Sequence, residues 1–202
     1  SLLAVLAAAR RATPPTNGDA QLPHATDRAV VAAARTAGLD DADTGWERIE
    51  DLPFESARGL HATVGRQGRR HMVAVKGAPE VVLPMCGAWR RDGRESPMDA
   101  EAHRVLEDRI ESMGRRGLRV LAVATADTPS RTRLTDPADL PSLTLQGFVG
   151  LLDVVRPSAA VAAGSLTAAG IRVAMITVDH PTTAQAIAVE LGILNGGRLV
   201  TG

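Results

Sequence analysis

One position in the sequence combines a cation with open access along the backbone, as a phosphate site requires. Lys76 is the only lysine in a chain of 202 residues that holds 23 lysine and arginine residues together. It follows a strand-like run at residues 71–75, and Gly77 follows it without a side chain to obstruct a ligand. A compact ammonium on a flexible stem can reach into a pocket and contact a phosphate or a ring system. An ordinary surface lysine is the alternative interpretation.

Five further segments contain the other residues that could take part in such a site. They are His-Ala-Thr-Asp at 24–27, Pro-Phe-Glu-Ser-Ala-Arg at 53–58, Gly-Leu-Arg-Val-Leu-Ala at 117–122, Phe-Val-Gly-Leu-Leu-Asp-Val-Val-Arg-Pro at 148–157 and the run from Gly170 to His180. Together with Lys-Gly-Ala-Pro-Glu at 76–80, and in this order, they resemble motifs of the P-type ATPases, particularly the type II cation pumps.

The resemblance implies an adenine-nucleotide site. In the family, an acidic residue at the position of Asp27 meets the adenine amino group, and a phenylalanine at the position of Phe54 stacks on adenine. The whole set implied for nucleotide binding is Asp27, Phe54, Arg58, Lys76, Gly77, Arg119, Asp153 and Arg156. For Phe54 the alternative is a core residue, and for Arg119 it is an exposed charge at the start of a strand.

The resemblance also implies a phosphoryl-site loop at Thr177 and Asp179, at the carboxyl end of a predicted parallel strand, where α/β sheets bind ligands. Glycine is usual in the family where Val178 stands. A β-branched residue tolerates neither positive φ nor close approach of a phosphate, so either the loop is distorted or phosphoryl transfer is poor. The sequence also departs from the family at Asp27, where glutamate is usual, and at residues 154–155, where two valines replace two prolines.

Composition excludes several other classes of function. The formal net charge is zero, so no global field attracts nucleic acid or an anionic membrane. No segment reaches the roughly 18–20 apolar residues of a membrane helix. The five histidines show no zinc spacing, and Cys86, the single cysteine, is expected to be a partly buried structural thiol. The run at residues 73–76 is superficially similar to the lysine strand of protein kinases, but the other kinase motifs and a Walker sequence are absent.

Hydrophobic spacing, helix caps and breakers predict the order of elements. Helices are predicted at residues 2–11, 26–38, 79–85, 98–113, 158–169 and 182–191. Strands are predicted at residues 53–64, 71–75, 119–125, 144–153, 171–177 and 198–201, with a hairpin between the first two and a polar loop at 90–97. The pattern predicts an α/β protein whose mainly antiparallel sheet is flanked by helices and followed by a partial parallel, Rossmann-like segment of the HAD type.

We therefore expect a nucleotide-binding domain at residues 1–152 and part of a phosphorylation domain at residues 153–202. The resemblance implies ATP-driven cation pumping with Mg²⁺ through an aspartyl-phosphate. No Asp-Lys pair occurs here, so the phosphorylated aspartate of the family's Asp-Lys-Thr-Gly motif is missing. We expect a soluble monomeric segment that faces the cytoplasm, binds adenine nucleotide without turnover, and works with other domains of an integral plasma-membrane protein. The alternative is a non-transporting module, derived from a degenerate pump, that senses nucleotide or binds a partner.

Overall fold

The computed structural model of the chain describes residues 2–15, 22, 24–39, 45–91, 93–129, 133–152, 156–176 and 181–194, without the side chains of residues 157 and 181–183. The helices in these residues are α1 (Leu2–Arg11), α2 (Ala25–Thr36), α3 (Pro79–Val82), α4 (Ala100–Arg115), α5 (Pro157–Ala168) and α6 (Pro181–Glu190). The strands are β1 (Trp46–Leu52), β2 (Leu60–Gln67), β3 (Arg70–Gly77), β4 (Cys86–Arg91), β5 (Arg94–Pro97), β6 (Leu118–Asp127) and β7 (Leu143–Leu152). Short 3-10 turns lie at Leu83–Met85 and Pro137–Asp139.

The seven strands form one mixed sheet in the order β1-β2-β3-β6-β7-β4-β5. The pairs β1–β2, β2–β3, β3–β6 and β4–β5 are antiparallel, whereas β4 pairs with β7 in parallel. The register of the β2–β3 hairpin sets His61 opposite Lys76 and Leu60 opposite Gly77. Since β3 has a neighbour on each side and is buried from Met72 onwards, a lysine on it is removed from water.

Helices α1 and α2 pack against each other, and α1 also contacts β3. Their shared core contains small and β-branched residues: Ala8 and Ala9 of α1, Val30 of α2 and Val123 of β6. Alanine side chains allow the end of α1 to come close to the sheet. This packing brings the last turn of α1 and the first turn of α2 to β3, on which Lys76 lies.

Most predicted elements are confirmed, including α1, α2, the helical turns at 79–85, α4, α5, α6, the β2–β3 hairpin, β6 and β7. The prediction of a strand from residue 53 is wrong, because β2 begins only at Leu60. Pro53 has no backbone N–H, and Gly59 takes φ +68°, which an extended strand does not accommodate. Phe54 and Arg58 therefore lie in a loop.

Three charged strands, β1, β4 and β5, do not appear among the predicted elements. The segment Trp46–Leu52 is the edge strand β1, and residues 90–97 form most of the β4–β5 hairpin rather than a loop. Both lie at the ends of the sheet, where exposed positions carry charged side chains that discourage pairing with other chains. That charge obscured the alternating pattern expected of a strand.

The chain divides by its contacts into two compact units, Ser1–Leu106 with Val120–Val149, and Glu107–Arg119 with Gly150–Gly202. The domain boundary at residue 152 stays a prediction. Within the second unit, α5 and α6 are formed, but residues 171–176 do not form the predicted strand. The other predicted strand, at 198–201, lies outside the described residues. The α/β class and the helix-flanked sheet are confirmed, and the parallel Rossmann-like segment is not.

No helix of the described ranges is both long and apolar enough to cross a membrane.

Candidate functional site

The ammonium of Lys76 is buried and has a partner for each of its three protons. Nζ lies 2.7 Å from Oδ1 of Asp27, and it donates to the carbonyl oxygen of Ala12 at 2.6 Å and to Oγ1 of Thr13 at 2.9 Å. Lys76 is 5% exposed and Asp27 is 3% exposed. Lys76 is therefore not a surface lysine. It joins β3 to the first turn of α2 and to the end of α1.

Two cations from the sheet hold the end of α1. The last carbonyl groups of an α-helix have no partner within the helix, and a cation there also interacts favourably with the helix dipole. Lys76 binds Ala12, while Arg48 of β1 donates to the carbonyl oxygens of Arg11, at 3.3 Å, and of Thr13. Sequence reasoning missed both Thr13 and Arg48. Thr13 precedes two prolines, which indicates a helix end, but Arg48 carries no signal among so many arginines.

Arg48 also belongs to a polar cluster between β1 and β2. It binds Asp51, and Oδ1 of Asp51 accepts from Oγ1 of Thr63 at 2.7 Å and lies 3.3 Å from Nε2 of His61. Burial raises the pKa of Asp51, but the hydrogen bonds from His61 and Thr63 and the charge of Arg48 outweigh it and lower the pKa below the ordinary value. Burial, together with the charges of Lys76 and Arg48, lowers the pKa of His61 below its ordinary value although Asp51 raises it.

Phe54 presents its ring at the surface of the first unit. Its exposed fraction is 41%, which is inconsistent with the alternative of a core residue. The ring centroid lies 5.4 Å from that of His24 with an interplanar angle of 73°, an edge-to-face contact. His24 occupies the N-cap position of α2, three residues before Asp27. The exposed ring therefore lies next to the helix turn that carries the buried carboxylate.

The loop that carries Phe54 is closed by its own hydrogen bonds and packs against the segment after Lys76. Arg58 donates to the carbonyl oxygen of Pro53 at 2.7 Å and pairs with Glu55 at 3.3 Å. A Cβ atom at Gly77 would lie 2.6 Å from the carbonyl oxygen of Gly59, so glycine is required there by the approach of two backbones. This packing explains Gly77 without a ligand, and a ligand contact at Gly77 stays a prediction.

Five of the predicted site residues are thus linked in a closed ring of contacts. Lys76 pairs with Asp27, Asp27 lies one turn from His24, and His24 touches Phe54. The loop returns from Phe54 through Arg58 to Gly59, which packs on Gly77, the neighbour of Lys76. Residues up to 50 positions apart in sequence, Asp27 to Gly77, are brought to one place. The exposed ring of Phe54 offers a face to a flat heterocycle, whereas the Asp27 carboxylate is buried and paired with Lys76.

The other predicted site residues are not part of this ring. Arg119 and Arg156 belong to the second unit and are exposed, Arg119 near the start of β6 and Arg156 at the N-cap of α5. Asp153, Thr177 and Asp179 lie outside the described residues, as does Val178.

Comparison with known proteins relates the chain to a family. Residues 2–158 match the family model described as P-type ATPase, cytoplasmic domain N. The chain belongs to the P-type ATPases. The resemblance drawn from the motifs is thereby confirmed.

Curated relatives of this P-type ATPase chain are much longer than it is. It is 38% identical over 206 residues to a probable cation-transporting ATPase I of Mycobacterium leprae. The aligned region covers 96% of this chain and 12% of the relative. It is 39% identical to the probable cation-transporting ATPase I of Mycobacterium tuberculosis, and the aligned region covers 97% of this chain and 12% of the relative. It is 30% identical to the magnesium-transporting ATPase, P-type 1, of Escherichia coli, and the aligned region covers 87% of this chain and 20% of the relative. The chain thus spans between about an eighth and a fifth of the length of these relatives.

The single lysine of this P-type ATPase chain makes one titration directly measurable. Burial lowers the pKa of Lys76 from 10.5 to about 8, because the cost of desolvating the ammonium exceeds the attraction of Asp27. Between these values the unfolded chain holds a proton at Lys76 that the folded chain has lost. The contribution of Lys76 to the free energy of unfolding therefore rises with pH from about 8 to 10.5.

We expect the ε-carbon resonance of Lys76 to titrate near pH 8 in the folded chain, and near its ordinary value in the urea-unfolded chain as the control. No other lysine contributes to the signal. A folded-state titration at 10.5 would contradict the burial of the ammonium.

Proposed function

We propose that this chain is the nucleotide-binding portion of a P-type ATPase that couples ATP hydrolysis, through an aspartyl-phosphate, to cation transport across a membrane. The names of the relatives, two of them cation-transporting and one magnesium-transporting, support the transport part of the proposal. The remaining domains of the longer polypeptide are the expected partners. The chain alone binds nucleotide without turnover, because it contains no Asp-Lys pair to serve as the phosphorylation motif.

The ring of contacts from Lys76 through Asp27 and Phe54 is the observation that carries the nucleotide assignment. The exposed Phe54 ring offers a face on which a base can stack. The Asp27 carboxylate accepts hydrogen bonds only, so it suits the exocyclic amino group of adenine. The exposed ring therefore fits a stacked adenine base, and the resemblance assigns the amino group to Asp27, which in this structure is buried with Oδ1 bound to Lys76. ATP bound there would supply the phosphoryl group, whose transfer requires residues that this chain lacks or that lie outside its described part.

Magnesium fits the described part of the chain less well. Within the described ranges, no group of three or more His, Cys, Asp and Glu side chains lies close enough together to hold a metal ion. Mg²⁺ prefers few protein carboxylates together with substrate phosphates. We therefore assign Mg²⁺ no ligand among the described residues.

Replacing Phe54 with alanine tests the stacking part of the proposal. Removal of the ring is expected to weaken ATP binding by about 1–3 kcal/mol, or roughly 5- to 150-fold. Chemical shifts of β2 and β3 during a titration with ATP would measure the affinity.

The matched control is Phe148→Ala. Phe148 lies in β7 and is the only other phenylalanine of the chain. It is expected to leave ATP affinity unchanged at a temperature where both variants are folded. Equal affinity of the Phe54 variant and the original chain would refute the platform, and failure of the original chain to bind ATP would refute the nucleotide assignment itself.

A further inference from the structure

The N-cap of α2 holds a residue whose side chain does not stabilise the helix end. Ser, Thr, Asp and Asn are preferred at an N-cap, because their side-chain oxygens accept hydrogen bonds from the free N–H groups of the first turn. His24 occupies this position with extended backbone, at φ −96° and ψ 133°, and its side chain makes no capping hydrogen bond. The helix therefore lacks a stabilising cap at the residue whose ring contacts Phe54.

The contact between His24 and Phe54 lies at the surface. The two ring centroids are 5.4 Å apart with an interplanar angle of 73°, a favourable edge-to-face geometry. His24 is exposed and Phe54 is 41% exposed, so the contact does not fill a core. Its effect is to restrict the rotation of a ring that solvent would otherwise leave free to change its rotamer.

The backbones that carry the two rings are both fixed. The carbonyl oxygen of His24 accepts from two N–H groups in the first turn of α2, at 3.1 and 3.2 Å. In the loop, the carbonyl oxygen of Glu55 accepts from the N–H groups of Arg58 and Gly59, at 3.0 and 2.8 Å. These bonds hold the Cα atom of Phe54 in place but leave its side-chain torsions undetermined, and the ring of His24 restricts those torsions.

We propose that His24 is a positioning residue for the nucleotide, whose ring holds Phe54 in the orientation on which the base stacks. This inference rests on the proposed function, since it assumes that a base stacks on Phe54. A ring that is already ordered does not have to be immobilised when the ligand binds, and such immobilisation weakens affinity. His24 thus acts through Phe54 and not by a contact of its own with the nucleotide.

The binding of ATP to His24→Ser and His24→Phe tests this role. Serine removes the ring but is a preferred N-cap residue, so the variant should unfold at the same temperature as the original chain or higher. Its affinity for ATP should nevertheless be about 2- to 12-fold lower, the effect of ordering one side chain on binding. Phenylalanine keeps a ring that can make the same contact, so His24→Phe should restore the affinity. A merely structural role predicts no loss of affinity in a variant that is equally or more stable.

The same substitution in the Phe54→Ala variant separates an indirect role from a direct contact. If His24 acts only through Phe54, His24→Ser should weaken ATP binding no further once the Phe54 ring is gone. The carbon-bound imidazole protons of His24 provide a spectroscopic check on the contact itself. Their resonances should shift in Phe54→Ala, because the ring current of Phe54 is lost.

Three results would overturn the proposal. Unchanged ATP affinity in His24→Ser would show that Phe54 needs no second ring. A further loss in the Phe54→Ala background would assign His24 a direct contact with the nucleotide, and equal losses in His24→Ser and His24→Phe would assign the effect to the imidazole nitrogens. If the original chain does not bind ATP, or if Phe54→Ala binds it equally well, the proposed function fails and this inference fails with it, even where the resonance shift shows the two rings in contact.

Discussion

Replacing Lys76 with methionine is expected to lower the free energy of unfolding by about 3–5 kcal/mol. The substitution leaves the Asp27 carboxylate, whose side chain is 5% exposed, without its cation. It also removes the donor to the end of α1. Because a buried charge without a partner costs far more than a surface charge, the loss should exceed that of any exposed ion pair here. Urea unfolding at pH 7, where the ammonium is charged, measures the difference.

The double variant Asp27→Leu/Lys76→Met is the control for this explanation. A buried ion pair replaced by apolar side chains is often neutral in stability, so the double variant should recover most of the loss. If the single and double variants are equally unstable, the loss arises from packing around the lysine stem rather than from the orphaned carboxylate. A single-variant loss under about 1 kcal/mol would contradict the pairing altogether.

Replacing Gly77 with alanine is expected to destabilise the first unit by about 1–3 kcal/mol or more. The new Cβ would lie 2.6 Å from the carbonyl oxygen of Gly59 and 2.7 Å from Cβ of Leu60. The nearest atom belongs to the backbone, so it cannot rotate away as the end of a side chain could. The β2–β3 hairpin would have to separate at that point, and thermal unfolding would report the loss.

Gly114→Ala is the matched control, since the same substitution is made in open space. Gly114 lies within α4, and a Cβ there would meet no atom within 4 Å. Alanine in a helix is favoured over glycine by about 0.5–1 kcal/mol, so this variant should be slightly stabilised. The proposed close approach at Gly77 would be wrong if both variants were stabilised alike.

The sequence predicts those parts of the fold in which one face is buried and the other is exposed. The helix α4 and the hairpin β2–β3 follow from spacing of apolar residues, and Pro79 correctly indicates the start of α3. Strand β1 could not be predicted in this way, because its half-buried positions include Arg48 and Asp51, which bind each other and neighbouring polar groups rather than an apolar core. A pattern of hydrophobic residues contains no information on such a pair.

The site was predicted by resemblance and not by spacing, and its internal geometry could not be predicted. Nothing in the sequence indicates that Lys76 and Asp27, 49 positions apart, pair with each other, since each was assigned separately to a nucleotide. That pairing depends on how closely α1 and α2 pack on β3, which the alanines of α1 permit. The edge-to-face contact of His24 with Phe54 likewise depends on where a loop comes to rest against a helix cap.

The three bonds of Lys76 also determine which parts of the first unit can open separately. They join the C-terminal end of α1, the first turn of α2 and β3. If one of these segments detached, it would leave buried polar groups of the others without hydrogen-bond partners. In terms of native-state hydrogen exchange, the three belong to one cooperative unit. The first turn of α1 is different, since Leu2 and Leu3 are 80% and 54% exposed and have no such anchor to protect them from fraying. Helix α1 is thus divided between a first turn that exchanges readily and a last turn that exchanges only when β3 does.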